Sequence, residues 1–298
     1  MKKHILRGYL SAIVSACLYG CMPLLTKFIY ADGVNVFTVV LMRNLLAAPM
    51  LGILAKCRGQ DLKVPGKALL SISAVGIFGS CLTPLLLFAS YQYIASGAAS
   101  VLHFVYPALT VGAGILFLRQ RAKLSTIISI AVCMVGIAMF YDPGQPMDWR
   151  GGALAIGSGV TYTVYILLLA AFPYKEISGF RFSFWFSVSN SVLLLAVCLC
   201  RGQLVVPATL TGWVLSFLLA FVTNVGAVVL FQQGALLVGS QRTAILSTLE
   251  PTVGVFLGAL VFNEVVGIRT AIGSVLVLLA SVLIAVFDAK KNDKAEVS

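Results

Sequence analysis

The segments SGAASVLHFVYPALTVGAGILFL (Ser96–Leu118) and SQRTAILSTLEPTVGVFLGALVF (Ser240–Phe262) start 144 residues apart and repeat each other weakly. Ser96, Leu102, Pro107, Val111, Gly114 and Leu116 fall on Ser240, Leu246, Pro251, Val255, Gly258 and Leu260, and Tyr106-Pro107 falls on Glu250-Pro251. Outward from this pair, ten apolar stretches divide into two sets of five. An odd number of spans per repeat turns the second set upside-down in a bilayer. Inverted repeats with a site between them are the architecture of secondary carriers.

Composition agrees with membrane residence. The chain is 60% hydrophobic and only 10% charged, and its mean hydropathy is +1.01, far from soluble averages. About 20 apolar residues cross a bilayer as a helix. The pattern predicts an all-α membrane protein with spans near Tyr9–Ile29, Val34–Ala55, Ala68–Ala89, Gly97–Leu118, Leu124–Tyr141, Gly152–Phe172, Ser178–Cys200, Trp213–Leu237, Thr243–Phe262 and Ile268–Phe287. Residues 1–141 then form the first five-helix repeat, 142–150 a linker, and 151–298 the second repeat with a short cytoplasmic tail.

The net charge of +11 is a matter of topology. Lys2, Lys3, Arg7, Lys56, Arg58, Lys63, Lys67, Arg119, Arg121, Lys123, Lys175, Arg181, Arg242, Lys290, Lys291 and Lys294 all fall in segments on one side. Only Arg150, Arg201 and Arg269 fall on the other, leaving Lys27 and Arg43 in or at the edge of spans. Sixteen cations against three place both termini in the cytoplasm of a multi-pass cell-membrane protein. No nucleic-acid partner is implied. The first apolar run continues through Leu24-Leu25 towards Ile29, longer than a signal-peptide core, although Val14-Ser15-Ala16-Cys17 resembles a lipoprotein box.

Seven cysteines, an odd set mostly inside spans, read as small buried hydrophobes. The only histidines are His4 and His103, so a metal site is not expected, nor any cofactor. No G-x-x-x-x-G-K-[ST] loop is present to bind ATP.

Two related helices carry a stripe of small and polar residues. It reads Ser96, Ser100, His103, Pro107, Thr110, Gly114 in the fourth span and Thr243, Ser247, Glu250, Gly254 in the ninth. Three- and four-residue spacings share one helix face, and in lipid such a face belongs against protein or water. Close helix packing is one reading; a cavity wall is the other. Glu250 lies near mid-membrane, where a carboxylate costs about 2.5–3.5 kcal/mol on insertion scales. Pro251 after it frees a carbonyl one turn back, so Glu250 either braces a broken backbone or binds substrate or proton. Arg43 lies at similar depth and needs a counter-ion, with Glu250 the obvious candidate. Lys27 is placed to snorkel. Tyr19, Tyr106, Tyr162 and Tyr165 lie within spans, as do Asn224, Gln232 and Gln233.

At these residues the chain resembles the EamA-type carriers of the drug/metabolite transporter superfamily. The likeness rests on Tyr19-Gly20 and Lys27 in the first helix, Arg43 in the second, and Leu249-Glu250-Pro251 running into Phe262-Asn263-Glu264 in the ninth. Gln120 stands where the first repeat would carry a glutamate. The resemblance implies ten helices, cytoplasmic termini, a central cavity and export, while related carriers take cargo from amino acids to drugs. The expected function is a secondary carrier of a small organic metabolite, such as an amino acid, by alternating access, with protons as a candidate coupling ion. A monomer and a homodimer both fit. His103, Tyr106, Ser247 and Glu250 would line the cavity, with Tyr19, Tyr162 and Asn224 from neighbouring helices; Arg43 and Glu250 would support or couple. The competing classes are a membrane-embedded enzyme, which needs clustered catalytic groups, and a receptor or scaffold, which needs a larger loop surface.

Overall fold

The structure, a computed structural model, describes residues 2–94, 96–118, 124–139, 148–174, 176–247, 249–262, 267–269 and 271–280. Every regular element among them is helical. The first span is α1 (Lys2–Gly20) followed by α2 (Met22–Ala31), joined at Cys21. Pro23 lies in the first turn of α2, where a missing N–H leaves no bond unmade. The second span is α3 (Val36–Cys57). The third is α4 (Gly66–Gly76), a π-helical segment (Ile77–Leu82) and α5 (Thr83–Ser90). The fourth comprises α6 (Ser96–His103) and α7 (Tyr106–Leu118), and the fifth is α8 (Leu124–Ala138). In the second half come α9 (Trp149–Ala171), α10 (Gly179–Cys200), then α11 (Leu210–Ala220), a π-helical segment (Phe221–Ala227) and α12 (Val228–Val238). The ninth stretch is α13 (Ser240–Leu246) with α14 (Leu249–Phe262), and the last is α15 (Ala271–Ala280).

Six of these stretches are long and apolar enough to cross a membrane: His4–Ala31, Val36–Cys57, Gly66–Ser90, Trp149–Ala171, Gly179–Cys200 and Leu210–Val238. Of the fourth, fifth, ninth and tenth stretches, expected as continuous spans, the described residues form α6 with α7, α8, α13 with α14, and α15. Residues 140–141 and 281–287 of the expected spans, and 142–147 of the linker, lie outside the described residues, as do Asn263-Glu264 and Gln120. The interruptions before Pro107 and Pro251 have a cause. Pro107 and Pro251 lack the N–H that would bond the carbonyl four residues back, and Glu250 N–H bonds Ser247 O (3.0 Å), only three residues back.

The repeat is legible in these irregularities. The π segments begin at Ile77 and Phe221, and the fourth and ninth stretches both break just before their proline. Asn35 Oδ1 caps α3 by accepting from Thr38 N–H (2.9 Å), and Ser178 Oγ caps α10 by accepting from Arg181 N–H (3.3 Å). A polar cap at equivalent starts fixes where each second span begins.

Packing crosses the halves. The first span lies against α12, its π segment, α13 and α14; α9 lies against α5, its π segment, α6 and α7. Each half's first helix is therefore seated on the third and fourth stretches of the other half. α3 and α10 run together as the spine between them. Gly8 and Gly234 allow the close approach of α1 and α12: a Cβ on Gly8 would stand 2.6 Å from Val238 Cγ1, and one on Gly234 3.2 Å from Ala12 Cβ. Small residues at such seams let backbones approach in lipid.

The turn after α2 is pinned to the segment before α11. Asn35 Nδ2 donates to Gln203 O (2.6 Å), Val205 N–H to Thr38 Oγ1 (3.1 Å) and Thr209 N–H to Asp32 Oδ2 (3.2 Å). The Thr209 side chain and backbone hold the Asp32 carboxyl below the usual carboxylate range.

Candidate functional site

The stripe of the fourth and ninth stretches faces protein. His103, Pro107, Thr110 and Gly114 are buried, as are Thr243 and Ser247, while Leu109, Leu116, Phe256 and Leu260 on the opposite faces are exposed. Amphipathic rotation thus sends the apolar side chains out towards lipid and the small polar ones inward.

At its centre lies an aromatic cluster. The His103 ring is 5.2 Å from Tyr106 and 5.5 Å from Tyr162, and Tyr106 meets Tyr162 edge-on at 4.7 Å. Tyr162 continues to Tyr165 (5.3 Å) and Phe231 (5.9 Å), and Tyr165 to Phe186 (6.2 Å). Tilted and edge-on pairs at these separations add to burial because ring edges are positive and faces negative. Backbone ties hold the cluster: Tyr106 OH donates to Ala244 O (3.3 Å), and Thr163 Oγ1 to Gly159 O (3.0 Å) beside Tyr106 O. His103 Nδ1 lies 2.8 Å from Ser158 Oγ. That hydroxyl donates to Ala155 O (2.6 Å), so it accepts from Nδ1–H and leaves Nε2 as the acceptor of the ring.

A polar cluster sits beside it, on the spine. Arg43 Nε donates to Asn224 Oδ1 (3.0 Å), and Arg43 Nη1 approaches Met22 Sδ (3.6 Å). Asn224 Nδ2 and Ser80 Oγ both donate to Asn44 Oδ1 (3.0 and 2.7 Å). Asn44 Nδ2 donates to Val40 O (2.9 Å) and Ser80 O (3.3 Å). Ser80 and Asn224 occupy the two π segments, 144 residues apart. Pro84, four residues after Ser80, has no N–H to donate to Ser80 O, which leaves that carbonyl open to the Asn44 amide. All four side chains are buried, Arg43 to 3% exposure.

The expected Arg43–Glu250 partnership is one of charge across a gap rather than of direct contact. The hydrogen bonds of Arg43 go to Asn224 and Met22, while the guanidinium and the Glu250 carboxyl lie near enough to attract each other. Glu250 is half-buried in the first turn of α14. The break at Ser247 creates that helix start, and unpaired N–H groups there favour a carboxylate. Its carbonyl abuts the first span: a Cβ on Gly20 would stand 2.9 Å from Glu250 O and 2.7 Å from Val253 Cβ. Tyr19, next to Gly20, is half-buried and packs against both large core clusters. Ser247 Oγ donates to Thr243 O (2.9 Å) within its own helix.

The structure thus brings His103, Tyr106 and Tyr162 into direct contact and gathers Arg43 with Asn224. Asn44, Ser80, Ser158, Phe186 and Phe231 were not singled out by the sequence. Asn44 was the most findable, since an amide directly after a deep arginine needs partners of its own. Among the described residues no group of three His, Cys, Asp or Glu side chains could hold a metal ion.

Comparison with known proteins follows the same outline. The profile of the EamA-like transporter family matches residues 6–141 and again 149–286. A protein of Clostridium kluyveri named an uncharacterized transporter is 24% identical, covering 98% of this chain and 97% of its own. One of Archaeoglobus fulgidus, similarly named, is 24% identical over 93% of this chain and 96% of its own. The uncharacterized transporter YcbK of Bacillus subtilis is 22% identical over 89% and 88%. A solved crystal structure superposes with a TM-score of 0.77 at 15% identity, covering 94% of this chain and 98% of that one, a likeness of fold.

Proposed function

Because the chain belongs to the EamA-like transporter family, whose profile it matches twice, we propose that this membrane transporter is a secondary carrier exporting a small organic metabolite, such as an amino acid, by alternating access. Ten spans in two inverted repeats, with both termini cytoplasmic, would carry it. A cavity between the halves would be lined by Tyr19, His103, Tyr106, Tyr162, Ser247 and Glu250, with Asn224 shaping the wall through Arg43 and Glu250 supporting or coupling.

The observation that carries this reading is the half-buried Glu250 at a helix start formed inside an apolar stretch, its charge within reach of Tyr19, Tyr106 and Tyr162. A carboxylate there needs a water, proton or ligand to offset its desolvation, and aromatic faces suit an organic ligand. The paired breaks and paired π segments support the rest. Elements interrupted at matching places give two halves the same bending points, as exchange between inward- and outward-open states requires.

Purified protein in proteoliposomes, given a metabolite panel with and without an imposed pH gradient, tests the function. Saturable uptake of one class is expected; no flux of any member would favour a receptor, and chemical conversion of a substrate an enzyme. Topology is tested by Gln145→Cys in a cysteine-free background. Labelling from outside intact cells is expected, and labelling from the cytoplasm alone would refute the orientation.

A further inference from the structure

We propose that the groove between the first span and α12, with Arg7 at its mouth, is a binding site for one anionic phospholipid. The groove is a shallow, open one of about 320 Å³, lined by Leu6, Arg7, Leu10, Ser11 and Val14 of α1 and Leu230 of α12. It follows from the seam already described. Gly8, Ala12 and Gly234 draw the two helices together, so the larger side chains at positions 6, 10 and 14, four residues apart on one face, stand along the outside as a wall. All three remain exposed, Leu6 by 59%. Such a wall matches an acyl chain.

The charged end is built and held. With the Gln233 amide turned so that both its ends are satisfied, Gln233 Oε1 accepts from Arg7 Nε (3.1 Å) and Nη2 (2.9 Å), and Nε2 donates to Ser11 Oγ (3.1 Å). Gln233 thereby occupies one edge of the guanidinium and fixes its plane. The Nη1–Nη2 edge keeps its parallel pair of N–H groups, the geometry that grips a phosphate in two bonds. Arg7 itself is exposed. An arginine at the mouth of an apolar groove complements a negatively charged headgroup with its chain below. A zwitterionic lipid carries an ammonium that this cation repels. The leaflet is the one the N-terminus faces; the site does not depend on the cargo or direction of transport.

The test is native mass spectrometry of the full-length protein in detergent, with equal amounts of phosphatidylglycerol and phosphatidylcholine added. One phosphatidylglycerol is expected to remain bound in preference to phosphatidylcholine. Arg7→Gln is expected to weaken its retention at least about fivefold, the effect of one cation near an anionic surface. Leu10→Trp, which fills the groove without touching charge, should weaken it comparably, and Lys56→Gln on an exposed helix end should leave it unchanged. Retention within twofold of wild type in Arg7→Gln or Leu10→Trp would overturn the site, as would displacement of the lipid by inorganic phosphate. Because retention is read without any flux, it fails or stands apart from the transport proposal.

Discussion

Asn224→Leu isolates the buried arginine. Asn224 Oδ1 accepts from Arg43 Nε and its Nδ2 donates to Asn44 Oδ1, both at 3.0 Å. Leucine removes both bonds at similar volume. A hydrogen bond to a charged group contributes about 1.5–3 kcal/mol, and a neutral one between membrane helices about 0.6 kcal/mol. The expected loss is therefore about 2–4 kcal/mol. Asn44 Oδ1 keeps its bond from Ser80 Oγ (2.7 Å), so Arg43 Nε is the group left orphaned. The assay is reversible unfolding of purified protein by SDS in mixed micelles, with Asn224→Leu, Arg43→Met and their combination compared. The double variant should be more stable than the sum of the single losses predicts, because the orphan disappears with its side chain. Glu250→Gln should stay within about 1 kcal/mol of wild type, since Arg43 spends its hydrogen bonds elsewhere. An Asn224→Leu variant within about 0.5 kcal/mol of wild type, or strictly additive losses, would refute the reasoning.

Three further outcomes are expected. Gly20→Ala would bring a methyl group within 2.7 Å of Val253 and 2.9 Å of Glu250 O; overpacking there should cost about 1–3 kcal/mol in the same SDS assay and slow proteoliposome transport by shifting α14. Ser158→Ala removes the acceptor of His103 Nδ1–H and should cost about 1 kcal/mol; a metabolite competition assay should show altered substrate preference, and unchanged preference would detach His103 from the cargo. Asp32, held below its ordinary range by Thr209, contributes stability that is complete above the unfolded value of about 3.9 and lost as pH falls through the lower folded one. Asp32→Asn should remove that acid-dependent part of a pH-resolved melting curve, leaving the curve above pH about 5 parallel to wild type.

Hydropathy alone placed five of the six long helices to within about three residues, while the first, expected from Tyr9, begins at Lys2. A lipid-facing helix must satisfy its backbone internally and present apolar side chains, and both demands are local to the segment. The 144-residue offset read from Pro107 and Pro251 reappears in the π segments at Ile77 and Phe221, because a repeated sequence meets its backbone defects at repeated places. The inward face of the His103 stripe was also legible, since helical spacing decides which side chains share a side. Only the tertiary structure decided what those faces meet. Arg43 bonds Asn224 across 181 positions rather than Glu250, and His103 bonds Ser158 across 55. Seating α1 on the other half's α12 determines the Arg7–Gln233 contact and the groove beneath it. Periodicity records the rotation of one helix about its own axis. Which polar group faces which depends on how two such rotations are docked, and that is set by the small-residue seams and the exchange of first helices between the halves.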